Sequence, residues 1–136
     1  MLTFISCGRN SNIVGYTLST YYTQRADKYD LINKMVEDEV FGNYTFEIAG
    51  HKVSRDLLDS INEINFLDRH LNLMSASDVT ILDIGAGYGR LAYRMATVVP
   101  GLAQYVCTDA VSYSSFISEF YLNYRKAEKT KIVPLE

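Results

Sequence analysis

The 136-residue chain has no tryptophan, and only two each of proline, cysteine and histidine. The cysteines, Cys7 and Cys107, form no CxxC pair and stand in no histidine cluster, so no zinc site is indicated. Sparse cysteine fits a reducing, cytoplasmic compartment. No apolar run approaches the ~20 residues of a membrane span. The opening "MLTFISC" lacks the basic start and the apolar length of a signal peptide. An excess of positive charge is missing too: the formal net charge is -3, and neither half is basic, which excludes the electrostatic footprint of a nucleic-acid binder. Internal repeats and low-complexity segments are absent.

What remains is ordinary. Hydrophobic residues make up 48% of the chain and charged residues 21%, the profile of a globular protein with a small core. Residues 1–15 show little periodicity and are expected to be loosely ordered. From Ser19 to Asp38, Tyr22, Ala26, Tyr29, Ile32, Met35 and Val36 fall at helical intervals. "NYTFEIAGHKV" alternates instead, with Ala49-Gly50 as a turn, and reads as a short hairpin or arm.

"SRDLLDSINEINFLDRHLNL" is the clearest helix. Ser54 suits its N-cap, Asp56 suits the positive end of its dipole, and Leu57, Ile61, Ile64, Leu67 and Leu71 form an apolar stripe. After the loop "SASD", residues 79–84 read as a strand apolar on both faces, as in a buried parallel sheet. Residues 89–98 read as a helix, ended by Pro100-Gly101, with Leu91, Ala92, Met95 and Val98 on one face. Residues 104–109 read as a second strand. Residues 112–127 read as a helix with Phe116, Ile117, Phe120, Tyr121 and Tyr124 inward, and "KIVPLE" begins like a third strand.

The order is helices, then β-α-β-α-β. It predicts an α/β fold: a partial Rossmann-like, doubly wound parallel sheet of about three strands with a helical N-terminal extension. The extension takes residues 1–75 and the sheet part residues 76–136.

The chemistry concentrates in "VTILDIGAGYGRLAYRMA". An apolar strand reaches Asp83, and Gly85, Gly87 and Gly89 follow at alternate positions before the helix. Glycines allow a sharp turn and a close ligand, and the helix start offers unpaired N–H groups. Ligands of open α/β sheets bind at the carboxyl ends of the strands, where Asp83 lies. A dinucleotide fingerprint, G-x-G-x-x-G, would need glycine at 90, where Arg90 stands. The Asp83 carboxylate would repel a pyrophosphate. It would not repel S-adenosylmethionine, which carries an ammonium, a sulfonium and no phosphate.

"LDIGAGYG" resembles the first motif of class I S-adenosylmethionine-dependent methyltransferases, an acid followed by G-x-G-x-G. The resemblance implies that Asp83, Gly85, Ala86, Gly87, Tyr88 and Gly89 lie against the methionine and ribose part of the cofactor. It implies that Asp109, ending "YVCTD", with Ala110 beside it, binds the ribose hydroxyls. The bland alternative for Asp109 is an N-cap of the next helix. Tyr88 and Arg90 would flank the methionine end, though Arg90 suits a solvated first-turn position equally. Over residues 46–125 the wording, "VSRDLLDSINEINFLDRHL" then "LDIGAGYGRLAYR", resembles the sugar O-methyltransferases of bacterial polysaccharide biosynthesis. That implies a small-molecule or saccharide acceptor; the missing signal peptide and membrane span make the cytoplasm the expected compartment.

The same resemblance implies a seven-stranded sheet, with the base and most of the acceptor pocket after the fourth strand. Strand 79–84 would then be a bare apolar edge. The expectation is a fragment, inactive alone, whose edge is covered by a missing C-terminal half or an oligomeric partner. No convincing base is encoded. His51 and His70 could serve but suit turn and helix-surface positions; Arg55 could hold the cofactor carboxylate but suits the surface. The eleven tyrosines could stack on sugars but suit packing. Two other functions stay open: a non-catalytic nucleotide- or partner-binding module, and an NAD-dependent oxidoreductase, against which Arg90 counts.

Overall fold

The structure is a computed structural model describing residues 2–41 and 43–135, with side chains from Asn12 onward; the side chain of Cys7 lies outside that range. It divides into two compact units, residues 1–65 and 66–136.

The first unit opens with α1 (Leu2–Ala26), so the N-terminal segment is helical rather than loosely ordered. Thr20 and Thr23, both buried, carry its inward face, which hydropathy does not mark. The helix expected over 19–38 breaks after Ala26. Asp27 and Asp30 explain this, because short carboxylates offer the backbone an alternative to the helix. Asp27 Oδ2 accepts from the Ile32 N–H at 2.9 Å, Asp30 is left-handed at φ 56°, and a short α2 (Leu31–Lys34) follows.

Strands β1 (Thr45–Ile48) and β2 (His51–Ser54) form the expected antiparallel hairpin. Ala49 and Gly50 both take positive φ, matching the tight turns that suit twisted strands.

Helix α3 (Arg55–Leu71) starts as anticipated: the Ser54 hydroxyl accepts from the Leu57 N–H at 3.0 Å and donates to Glu37. Leu57, Ile61 and Ile64 are buried with Val53 and Leu31, and Asn62 donates to Thr23 at 3.0 Å. The stripe does not run the whole helix, for Leu71 is exposed.

The second unit is the predicted sheet. Strands β3 (Val79–Ile84), β4 (Leu102–Thr108) and β5 (Thr130–Ile132) are parallel in the order β3-β4-β5, linked by α4 (Arg90–Val98) and α5 (Ser112–Tyr124). This is α/β, partially Rossmann-like, with β3 at an edge.

Two expectations fail here. Strand β3 is not buried on both faces: Leu82 is 62% and Ile84 76% exposed, while Tyr105 and Cys107 on the opposite face are buried. The sheet is therefore covered on one side. The inward face of helix α5 fails in part: Tyr121 is buried as expected, but most of the aromatic stripe is not. Ser115, Ser118, Tyr121 and Leu122 are buried, while Phe116, Phe120 and Tyr124 are exposed. Ser118 and Leu122 are the residues that approach Gly89, which leaves Phe116 and Phe120 on the outer face.

No helix among the described residues is long and apolar enough to cross a membrane.

Candidate functional site

The site forms where β3 and β4 end. Strand pairing sets Asp83 beside Cys107 and Ile84 beside Thr108. The loop continues that pairing: the Thr108 carbonyl accepts from the N–H groups of Gly85 at 2.8 Å and Ala86 at 3.1 Å. The Gly89 N–H then donates to the Ala86 carbonyl at 3.0 Å, closing a tight turn.

The three glycines do different work. All have positive φ, 89° at Gly85, 57° at Gly87 and 87° at Gly89. A methyl group added at Gly85 or Gly87 would meet nothing within 4 Å. At Gly89 it would lie 2.9 Å from the Ser118 hydroxyl and 3.0 Å from Leu122. Gly85 and Gly87 thus leave backbone bare toward open space, whereas Gly89 lets α5 approach. Gly89 also starts α4 without a side-chain cap, which leaves the first-turn N–H groups to other acceptors.

Asp109 clasps this loop. Its Oδ2 accepts from the Gly87 N–H at 3.0 Å and its Oδ1 from the Val111 N–H at 2.8 Å. It is not the residue before α5; Val111 is, with no side-chain cap. A carboxylate offers about four lone-pair sites, so Asp109 keeps acceptor capacity for further donors. Ala110 is exposed beside it.

Asp83 lies on the covered face and accepts from the Tyr105 hydroxyl at 2.8 Å. Burial pushes the neighbouring Cys107 thiol up to about 11, the Asp83 charge adds to that, and the nearby Ser118 hydroxyl opposes it. Tyr88 packs edge-on against Tyr121, ring centroids 5.1 Å apart. Burial raises the Tyr121 phenol, and the nearby Arg125 and Arg94 charges pull it back. Arg125 lies over the rings of Tyr93, Tyr121 and Tyr124. Arg90 is half-buried at the start of α4.

The structure brings Asp83, the glycine loop and Asp109 together within one unit. Arg55 belongs to the other unit, where it pairs with Asp59 at 3.3 Å and lines a cleft of about 630 Å³ with Tyr16, Tyr22 and Asn62. His51 is half-buried at the hairpin turn, and His70 is exposed, its ring 4.5 Å from that of Phe66.

Two contributors escaped the sequence reading: the Thr108 carbonyl and Tyr105. A signal existed for the second. A tyrosine buried in a strand needs a partner for its hydroxyl, and Asp83 is a same-face acid on the neighbouring strand.

No family profile matches the chain, and no curated protein matches it in sequence. Among solved structures it is similar to the YcgJ protein of Bacillus subtilis, at 18% identity and TM-score 0.41, over 51% of this chain and 29% of that one. It is also similar to the DszA carbon methyltransferase, at 23% identity and TM-score 0.36, over 60% of this chain and 21% of that one. The chain spans less than a third of either protein. Likeness of this extent says nothing about activity.

The local residues fit S-adenosylmethionine: bare backbone at Gly85 and Gly87, an uncapped helix start, and a carboxylate with spare acceptor sites within reach of the loop.

Proposed function

We propose that this chain carries the cofactor-binding part of an S-adenosylmethionine-dependent O-methyltransferase. The observation that carries the reading is the clasp of Asp109 on Gly87, beside glycine backbone that faces open space. Gly85, Ala86 and Gly87 would lie under the ligand, and Tyr88 would flank it. Asp109 would accept from the ribose hydroxyls, with Ala110 alongside. Asp83 places negative charge at the end of β3, which favours a cationic ligand over a pyrophosphate. Gly89 packs against Ser118 instead of facing a ligand.

When bound, S-adenosylmethionine supplies an electrophilic methyl on a sulfonium. The residues of this chain hold and orient; none of them is assigned as the base. The acceptor we propose is a saccharide hydroxyl in polysaccharide biosynthesis, in the cytoplasm. Support for it is the resemblance of residues 46–125 noted above. The open edge of β3 would pair with a further strand, from a C-terminal half or an oligomeric partner, and Leu82 and Ile84 would be covered with it.

Titration by protein-observed NMR tests the cofactor. S-adenosylhomocysteine should shift the amides of Gly85, Gly87 and Ala110, and Asp109→Ala should weaken that binding about tenfold or more. Tighter binding of NAD than of S-adenosylhomocysteine would overturn the reading.

A further inference from the structure

We infer that Tyr105 is a positioning residue for the ligand site, fixing the carboxylate of Asp83 through its hydroxyl. The inference rests on the cofactor reading above. The hydroxyl donates to Asp83 Oδ2 at 2.8 Å, and Tyr105 is 1% exposed, so its ring is held on all sides. A hydroxyl on an immobile ring is a fixed point. A carboxylate at a strand end has two torsions, and one charge-assisted bond to a fixed donor removes much of that freedom.

Packing alone gives no reason for the pair. A buried polar pair is worth little more than two apolar side chains of the same volume. What the pair adds is direction to a charge two residues before Gly85. Cys107, beside Asp83 in the strand pairing, is buried on the same face. The carboxylate is thus turned into the sheet–helix layer, where charges are screened less than at the surface.

A residue acting this way must act through Asp83, and the difference must appear with ligands that carry a positive amino group. The test is a double-mutant cycle on the 136-residue chain: wild type, Tyr105→Phe, Asp83→Asn and the double variant. Each is titrated by NMR with S-adenosylhomocysteine, which has the ammonium, and with 5′-methylthioadenosine, which lacks it. Tyr105→Phe should weaken S-adenosylhomocysteine about five- to tenfold and 5′-methylthioadenosine less than about twofold. In the Asp83→Asn background the same change should add nothing. Equal losses for both ligands, or an undiminished loss in the Asp83→Asn background, would overturn the inference and leave Tyr105 a packing residue. Wild type binding neither ligand would bring down the cofactor reading itself, a different result from wild type binding both and Tyr105→Phe changing nothing. Thermal unfolding of each variant separates a loss of fold from a loss of ligand. Should Tyr105→Phe fail to fold, the Asp83–Tyr105 bond would be needed for the fold itself, which also overturns a purely positioning role.

Discussion

Gly87 donates its backbone N–H to the carboxylate of Asp109 across 3.0 Å, joining the loop after β3 to the end of β4. Because the second carboxylate oxygen takes the Val111 N–H, one side chain sets both the loop and the approach to α5. Asparagine has a single acceptor oxygen. Asp109→Asn should therefore lose one of the two bonds, at about 1–2 kcal/mol, and Asp109→Ala both, at about 2–4 kcal/mol. Urea unfolding of the three proteins checks the order.

Gly89 and its two neighbours should separate stability from binding. Gly89→Ala meets Ser118 and Leu122 in a left-handed backbone, so it should cost about 2–4 kcal/mol. Gly85→Ala and Gly87→Ala meet nothing, and should cost about 1–2 kcal/mol from backbone strain alone. Their effect should fall on ligand affinity instead. Unfolding curves and titrations on the same three variants decide the matter.

Cys107 should be slow to react. With its thiol at about 11, roughly a thousandth is thiolate at pH 8, so labelling by a disulfide reagent in a Cys7→Ser background should rise about tenfold per pH unit toward pH 11. Stability follows the same linkage. The folded thiol holds its proton above the ordinary 9.0, so the unfolded chain ionises first. Cys107 then destabilises the fold progressively as pH rises from 9 to about 11 and contributes nothing to pH dependence below 9. Denaturation at pH 8 and pH 10, compared with Cys107→Ala, tests this.

The inward and outward faces of α5 should differ sharply. Phe120→Ala removes a ring that is 60% exposed and should change stability by less than about 1 kcal/mol. Leu122→Ala removes a side chain that is 2% exposed and should cost about 2–4 kcal/mol. The reverse order would restore the inward aromatic stripe that periodicity suggests.

Leu82→Lys should reduce self-association at little cost in stability, since Leu82 is 62% exposed on an edge strand. Sedimentation velocity over a range of concentrations checks it.

These elements also show what a single sequence carries. Residues 79–84 were legible to the residue, because a β-branched run ending in an acid and a glycine has few other uses. The Ala49-Gly50 hairpin and the Ser54 cap were legible for the same reason, being local chemistry. The burial of β3 was not. An apolar strand reads the same whether one face or both are covered, and only the packing of α4 and α5 distinguishes them. Helix α5 was legible only in part: Tyr121 is inward, but hydropathy ranks phenylalanine above serine, and it is Ser118 that meets Gly89. Threonines 20 and 23 hid α1 similarly. Within the site, side-chain candidates could be read from the sequence, but the Asp109–Gly87 and Tyr105–Asp83 bonds depend on strand register.

The uncovered face of the sheet also bears on how the chain fares during synthesis. Once residue 132 has left the ribosome, β3, β4 and β5 can assemble, and Leu82 and Ile84 then stand in water beside an unpaired edge. Chaperones and neighbouring nascent chains compete for such a surface. Cellular abundance will accordingly depend on the fate of that exposed face as well as on the free energy of the folded unit.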